Sequence, residues 1–200
     1  MPGTTGSRAY LTALATMVLA VEFPAIAGGM VVTADEMDSL FGRQNVRRVD
    51  ASELPRVESG AIQNSFRFLA EVGLPREVGS FASTDVRHFT SSGDSYYRIG
   101  SYDGQSVLCL EDATANIVDL VFEKGSVISK VYVNGSLEQF VAFLCQVQRA
   151  TLMVHRYYEG SGPRLDQSAF LARLKAVDDK AMLEGAWWQV LLEDMLLSAE

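Results

Sequence analysis

At 200 residues, 48% of them hydrophobic and 21% charged, the chain has the length for one ordinary hydrophobic core with some to spare. Five prolines and two cysteines exclude a collagenous, a disordered or a disulfide-stapled chain. A formal net charge of −8 argues against nucleic acid as a direct partner, because phosphate contacts need a clustered basic surface; it suits solubility, or docking to a basic protein.

The chain opens on an apolar stretch, Ala9 to Val21, with Arg8 before it and Ala25-Ile26-Ala27 after it, the order of a secretory signal. A single basic residue ahead of the stretch and Glu22 just behind it fit export poorly. A spanning helix needs about 20 apolar residues, and Glu22-Phe23-Pro24 interrupts the run. Residues 1–29 are set apart as an apolar leader with three readings open: a start over-extended ahead of Met30 or a loosely packed extra helix, a cleaved signal, or an anchor. Residues 30–200 are expected to form one domain. A cytoplasmic location goes with the first reading, export or membrane attachment with the other two.

Thr33-Ala34-Asp35-Glu36, followed by Met37, Leu40 and Phe41, predicts a capped short helix ended by Gly42. Asn45 to Val49 reads as a short edge strand. After Pro55, Ala61, Ile62, Ser65, Phe66, Leu69 and Val72 recur at helical spacing, with Gly73 as left-handed cap and Pro75 as stop.

From Val86 to Val133 the period changes to two. Tyr96 to Gly100 turns through Asp103-Gly104 into Ser106 to Leu110, an Asp-Gly hairpin whose central residues both need positive φ. Ile117 to Phe122 then turns through Glu123-Lys124-Gly125 into Val127 to Val133. Short turns between consecutive strands predict an antiparallel meander. In the strand from Ile117, Val118, Leu120 and Phe122 point one way and Asp119 the other, so one face is expected to be buried against helices.

Ser136 caps the strongest helix, with Gln139 placed to return the bond, and Leu137, Phe140, Val141, Leu144, Val147, Leu152 and Val154 form its apolar stripe. Gly160-Ser161-Gly162-Pro163 breaks the chain before a helix from about Asp166 to Ala176. A last helix from about Gly185 carries Trp187, Trp188, Val190, Leu191 and Met195-Leu196-Leu197. The fold class is therefore α+β: a central antiparallel sheet packed against helices, with helices at the C-terminus.

The residues of chemistry are sparse. His88 and His155 lie far apart, no zinc-type or phosphate-loop motif occurs, and Ser161 between two glycines has no strand before it. No catalytic residue, metal or cofactor is expected. Cys109 and Cys145 read as buried free thiols rather than a bridge. The pairs Asp178-Asp179, Glu193-Asp194 and Glu111-Asp112 read as solvated surface, and at least one of Trp187 and Trp188 as core.

Charge placement carries more. Asp94, Asp103, Glu111, Asp112, Asp119 and Glu123 face only Arg98 along the meander, while the stretch from Arg149 to Lys175 leans basic. The acidic side serves either solubility alone or as a docking face for a basic protein.

The order of segments resembles a known family. Phe68-Leu69-Ala70-Glu71-Val72-Gly73-Leu74-Pro75, the glycine-ended Tyr97-Arg98-Ile99-Gly100 and Val107-Leu108-Cys109-Leu110-Glu111 are similar to segments of the SUKH superfamily. So is Val131-Tyr132-Val133-Asn134-Gly135-Ser136-Leu137-Glu138-Gln139-Phe140, where the last strand passes into the long helix. The likeness is to the fourth subfamily of SUKH immunity proteins, from about Val31 to Val154 and more weakly to the end. Thr114-Ala115-Asn116 stands where the family usually has a Thr-Gly pair, a departure confined to one turn.

The resemblance implies a non-enzymatic α+β protein without cofactor, serving bacterial polymorphic toxin systems. Its partner would be a cognate toxin domain, often a nuclease or a nucleic-acid deaminase, neutralised by binding. A regulatory adaptor without a toxin partner is the alternative. The expected partner contacts are Asp103, Glu111, Asp112, Asp119 and Glu123, or else the groove between the sheet and the C-terminal helices.

Overall fold

The structure, a computed structural model, describes residues 31–197 apart from position 105, with side chains as far as Leu192. The leader over 1–29 and the side chains of Met195-Leu196-Leu197 lie outside the described residues.

Helix α1 (Ala34–Phe41) begins where the Thr33 hydroxyl accepts from the Glu36 amide at 3.2 Å, and Gly42 ends it at φ +81°. A 3-10 turn leads into β1 (Val46–Arg47), shorter than the expected edge strand. It pairs with β2 (Leu74–Pro75) in a separate two-stranded sheet. Between them lies α2 (Gly60–Glu71). Gly73 closes α2 at φ +90°, and a Cβ there would sit 2.6 Å from the carbonyl oxygen of Arg47. Only glycine meets both conditions.

The main sheet is a six-stranded antiparallel meander in sequence order: β3 (Glu77–Val78), β4 (Phe81–Ser91), β5 (Asp94–Tyr102), β6 (Ser106–Glu111), β7 (Ile117–Glu123) and β8 (Ser126–Asn134). Its turns carry positive φ where the sequence requires it, at Asp103 and Gly104 and again at Lys124 and Gly125. The sheet begins well before Val86. A bulge hides this start from a period-two reading: pairing steps from Ser83↔Gly100 to Arg87↔Arg98, so Thr84, Asp85 and Val86 stand opposite Ile99 alone.

Helices α3 (Leu137–Tyr158), α4 (Gln167–Val177) and α5 (Trp187–Leu197) complete the fold. The Ser136 hydroxyl accepts from the Gln139 amide at 3.2 Å. Gln139 does not return the bond; its side chain donates instead to the Val177 carbonyl at 2.9 Å, tying α3 to the end of α4.

Helices and sheet enclose the main core, in which Met37, Ile62, Leu69, Ile99, Leu108, Ile117 and Phe140 are fully buried. Phe81 meets Phe140 edge-on at 5.4 Å, and Phe66 meets Tyr97 at 5.1 Å. The expected α+β architecture, with its antiparallel sheet and C-terminal helices, is borne out.

One expectation is inverted. Val118 and Leu120 lie with Tyr96 and Cys109 in a second apolar cluster, away from the helices, while Asp119 faces α5. The alternation is real, but Ile117 is as apolar as Val118, so periodicity gives parity without direction. The second cluster is buried because the sheet coils. Phe89 of β4 and Phe122 of β7 have ring centroids 6.1 Å apart, although three strand spacings amount to about 14 Å in a flat sheet.

In the main core, Gly100 permits the close approach of β4 and β5 beside Phe81. A Cβ there would lie 2.5 Å from Phe81 Cε2 and 2.8 Å from the Ala82 carbonyl oxygen. Gly100→Ala is expected to cost roughly 1–3 kcal/mol in urea unfolding. Gly60→Ala, at the open first position of α2, should instead be neutral or stabilise by up to about 1 kcal/mol. Equal effects at the two positions would contradict the packing described.

Candidate partner-binding surface

The five carboxylates read from the sequence as partner contacts do not share one face. Asp103, in the β5–β6 turn, and Glu123, the last residue of β7, are exposed at one end of the sheet. Glu111 and Asp112 lie at the opposite end. Asp112 is half-buried and accepts from the Tyr97 hydroxyl at 3.2 Å. Glu111 is buried, accepting from Lys130 Nζ at 2.8 Å and from the Thr114 hydroxyl at 2.5 Å. Burial opposes its ionisation, yet the bonds from Lys130 and Thr114 hold its carboxyl below the usual range.

Asp119 is buried against α5, where its Oδ2 accepts from the indole N–H of Trp187 at 2.9 Å. Its Oδ1 has no hydrogen-bond partner among the described residues. The outward placement expected for Glu111 and Asp119 is thus corrected: both carboxylates are engaged within the fold. The pair Asp178-Asp179 divides likewise. Asp179 is exposed beside Lys175 at 3.4 Å, but Asp178 is buried.

Four donors meet the Asp178 carboxylate. The Tyr132 hydroxyl (2.9 Å), the Asn134 side-chain amide (3.1 Å) and the Gly135 backbone N–H (3.0 Å) reach Oδ2, and the Ala181 N–H reaches Oδ1 at 3.2 Å. Asn134 in turn accepts from the Trp188 indole at 2.8 Å. Burial, followed by the bond to Asp178, raises the Tyr132 hydroxyl well above its ordinary value, so it stays protonated and donates. This network explains the spacing of the Val131–Phe140 segment: its polar residues fasten the chain beyond α4 to the end of β8. The sequence offered no cue that Asp178, rather than Asp179, turns inward.

With α5 held there, a groove of ≈ 480 Å³ opens between the start of β4, the end of β5 and the α3 and α5 helices. Phe81, Tyr102, Leu144, Val147, Trp187 and Leu191 line it, and Asp103 stands on it as the acidic residue. Trp188 is buried and Trp187 half-buried, their rings perpendicular at 4.9 Å. Asp119 thus bears on this groove indirectly, by orienting Trp187. Glu123 shares its end of the sheet.

The groups that sequence reasoning weighed for chemistry lie apart from this groove. His88 is exposed on β4 against the Tyr97 ring, and His155 is exposed on α3 beside Glu159. Cys109 and Cys145 are buried free thiols in separate clusters, as expected. Burial pushes each thiol up to about 12. The basic stretch is partly neutralised, since Arg149 is buried in an ion pair with Glu36. No helix among the described residues is long and apolar enough to cross a membrane.

A family model described as SUKH-4 immunity protein matches residues 32–194. No curated protein and no solved structure matches the chain.

Asp178→Ala leaves several buried donors without an acceptor and should cost at least about 3 kcal/mol in chemical unfolding. Tyr132→Phe removes one bond and should cost about 1 kcal/mol. Similar losses for the two would remove Asp178 as the hub. The thiols set an alkaline limit. Below their ordinary value of 9.0 they are protonated in both the folded and the unfolded chain. Between there and about 12 only the unfolded chain ionises, so stability falls as pH rises. Replacing both cysteines by alanine should flatten that slope in unfolding curves from pH 8 to 11, whatever the cost at pH 7.

Proposed function

The chain belongs to the SUKH-4 immunity protein family, and from that premise we propose that it binds a cognate bacterial toxin domain and neutralises it. The observation that carries this reading is the family match over residues 32–194, which takes in every described strand and helix from α1 into α5. Residues 30–200 act as one binding unit in the cytoplasm, by occupying the toxin rather than by turning over a substrate. The toxin is a nuclease or a nucleic-acid deaminase. Such an enzyme grips phosphates with a basic cleft, and a partner of net charge −8 is drawn to it over distance.

The docking surface in this reading is the end of the sheet that carries Asp103 and Glu123, continuing into the groove walled by Trp187. Two features support it. The carboxylates there are exposed, whereas those of Glu111 and Asp119 are spent on internal bonds. An aromatic-walled groove beside exposed charge also supplies what a tight interface needs, an anchor pocket inside a polar rim. Asp112, half-buried at the far end of the sheet, is a peripheral contact at most.

Co-expression with the toxin domain encoded beside this chain should restore growth, and the two should run as one complex on a sizing column. Undiminished toxicity with no complex would overturn the reading. Reversing charge in Asp103→Lys and Glu123→Lys together should lower the association rate and flatten its dependence on salt, with a smaller change in dissociation. An unchanged association rate moves the docking surface elsewhere.

A further inference from the structure

On the sheet face away from the helices, the β4 bulge creates an arrangement that neither the family nor the acidic composition accounts for. Arg87 of β4 and Arg98 of β5 are direct cross-strand partners, so two guanidinium groups project from the same face side by side. Like charges placed opposite one another in a sheet destabilise it. Arg98 is half-buried; its Nε is fully enclosed and has no hydrogen-bond partner among the described residues, and no ion pair reaches it there. A guanidinium taken out of water without an acceptor costs free energy that some group normally repays.

The neighbours do not supply that acceptor. Behind Arg98, opposite it on β6, is Cys109, whose thiol is held protonated by burial. Asp85 is the one carboxylate in the bulge, and it is already shared: Arg47 bonds its Oδ1, and Arg87 lies 3.8 Å from its Oδ2. Two arginines therefore share one aspartate, and Arg98 lines the same pocket without reaching it. The bulge leaves a pocket of ≈ 230 Å³ lined by Thr84, Asp85, Arg87 and Arg98. Its lining offers two forked guanidinium groups at one opening, the donor geometry that oxyanions fit, while the Thr84 hydroxyl is turned to the Asp85 carbonyl at 3.5 Å.

We propose that this pocket binds an oxyanion, held between the guanidinium groups of Arg87 and Arg98. The anion supplies the missing acceptor for Arg98 and screens the two like charges from each other. Its source is either a free phosphate-type anion or the carboxylate of an acidic side chain on a bound protein. The site stands or falls apart from toxin neutralisation, because no toxin is needed to fill it.

The test is an NMR titration of the full chain with inorganic phosphate at constant ionic strength, with the blocked peptide acetyl-Gly-Glu-Gly-amide in a second arm. Expected is a saturable shift confined to the backbone amides of Thr84–Arg87 and the Arg98 side chain. It should weaken tenfold or more in Arg87→Gln and in Arg98→Gln. Arg87 is exposed, so its variant keeps the proposal testable even if Arg98→Gln folds poorly. Saturation by phosphate alone assigns a free anion, and saturation by the peptide as well assigns a protein carboxylate; either supports the site. A second readout is thermal: saturating phosphate should raise the Tm of the parent chain and raise that of Arg87→Gln much less. Linear, unsaturable shifts in both arms, or equal affinity in the parent and Arg87→Gln, would overturn the proposal.

Discussion

Where β8 passes into α3, the chain turns around a buried carboxylate that comes from forty residues further on, and this contact decides where the C-terminal third sits. Asp178 gathers donors from the strand end, from the turn and from the segment that follows α4. Burying a carboxylate is costly unless hydrogen bonds compensate it, and here all four bonds come from groups that are themselves fixed by the fold. Gln139 adds a fifth tie to the same region through the Val177 carbonyl. Asn134 uses its remaining oxygen on Trp188, so the network reaches α5. Trp188 is held over the sheet by this network and Trp187 by Asp119, and together they give the groove beside Phe81 and Tyr102 its second wall.

The same residues show what a sequence does and does not disclose. Caps, turns and helix stripes were legible because each is local: Thr33 and Ser136 meet amides three residues away, and Asp103-Gly104 or Lys124-Gly125 need only their own φ values. The order of strands followed from the short turns between them. What escaped was every choice between two equivalent local states. Ile117-Val118-Asp119-Leu120 alternates either way up, Asp178 and Asp179 are alike until one of them turns inward, and the β4 bulge conceals three residues from a period-two count. The candidate site was half legible for the same reason. Asp103 lies in a turn and Glu123 at a strand end beside one, where exposure is the default. Glu111 and Asp119 lie in strands, and only their cross-strand neighbours decide whether they face water.

Formal charge also overstates what this surface offers. Glu36 is neutralised by Arg149, Asp38 by Arg48, and Glu111 by Lys130, so part of the acidity is absorbed by contacts within the fold. The remainder is uneven. Acidic groups stand free at the turns beside the groove, while the opposite face, around the β4 bulge, concentrates arginine. A net charge of −8 is thus spread unevenly, with arginine and aspartate paired around the β4 bulge and exposed carboxylates at the end of the sheet beside the groove.

The two tryptophans are the only ones in the chain, and both stand at the same groove. Their indole planes cross at 87° with centroids 4.9 Å apart, close enough for their electronic transitions to couple. One ring is sealed in the core and the other keeps an edge toward solvent. The protein therefore carries its own optical gauge: near-ultraviolet dichroism reports the angle between the rings, and emission colour reports water at the half-exposed one. Anything entering that cleft registers in both signals without a label.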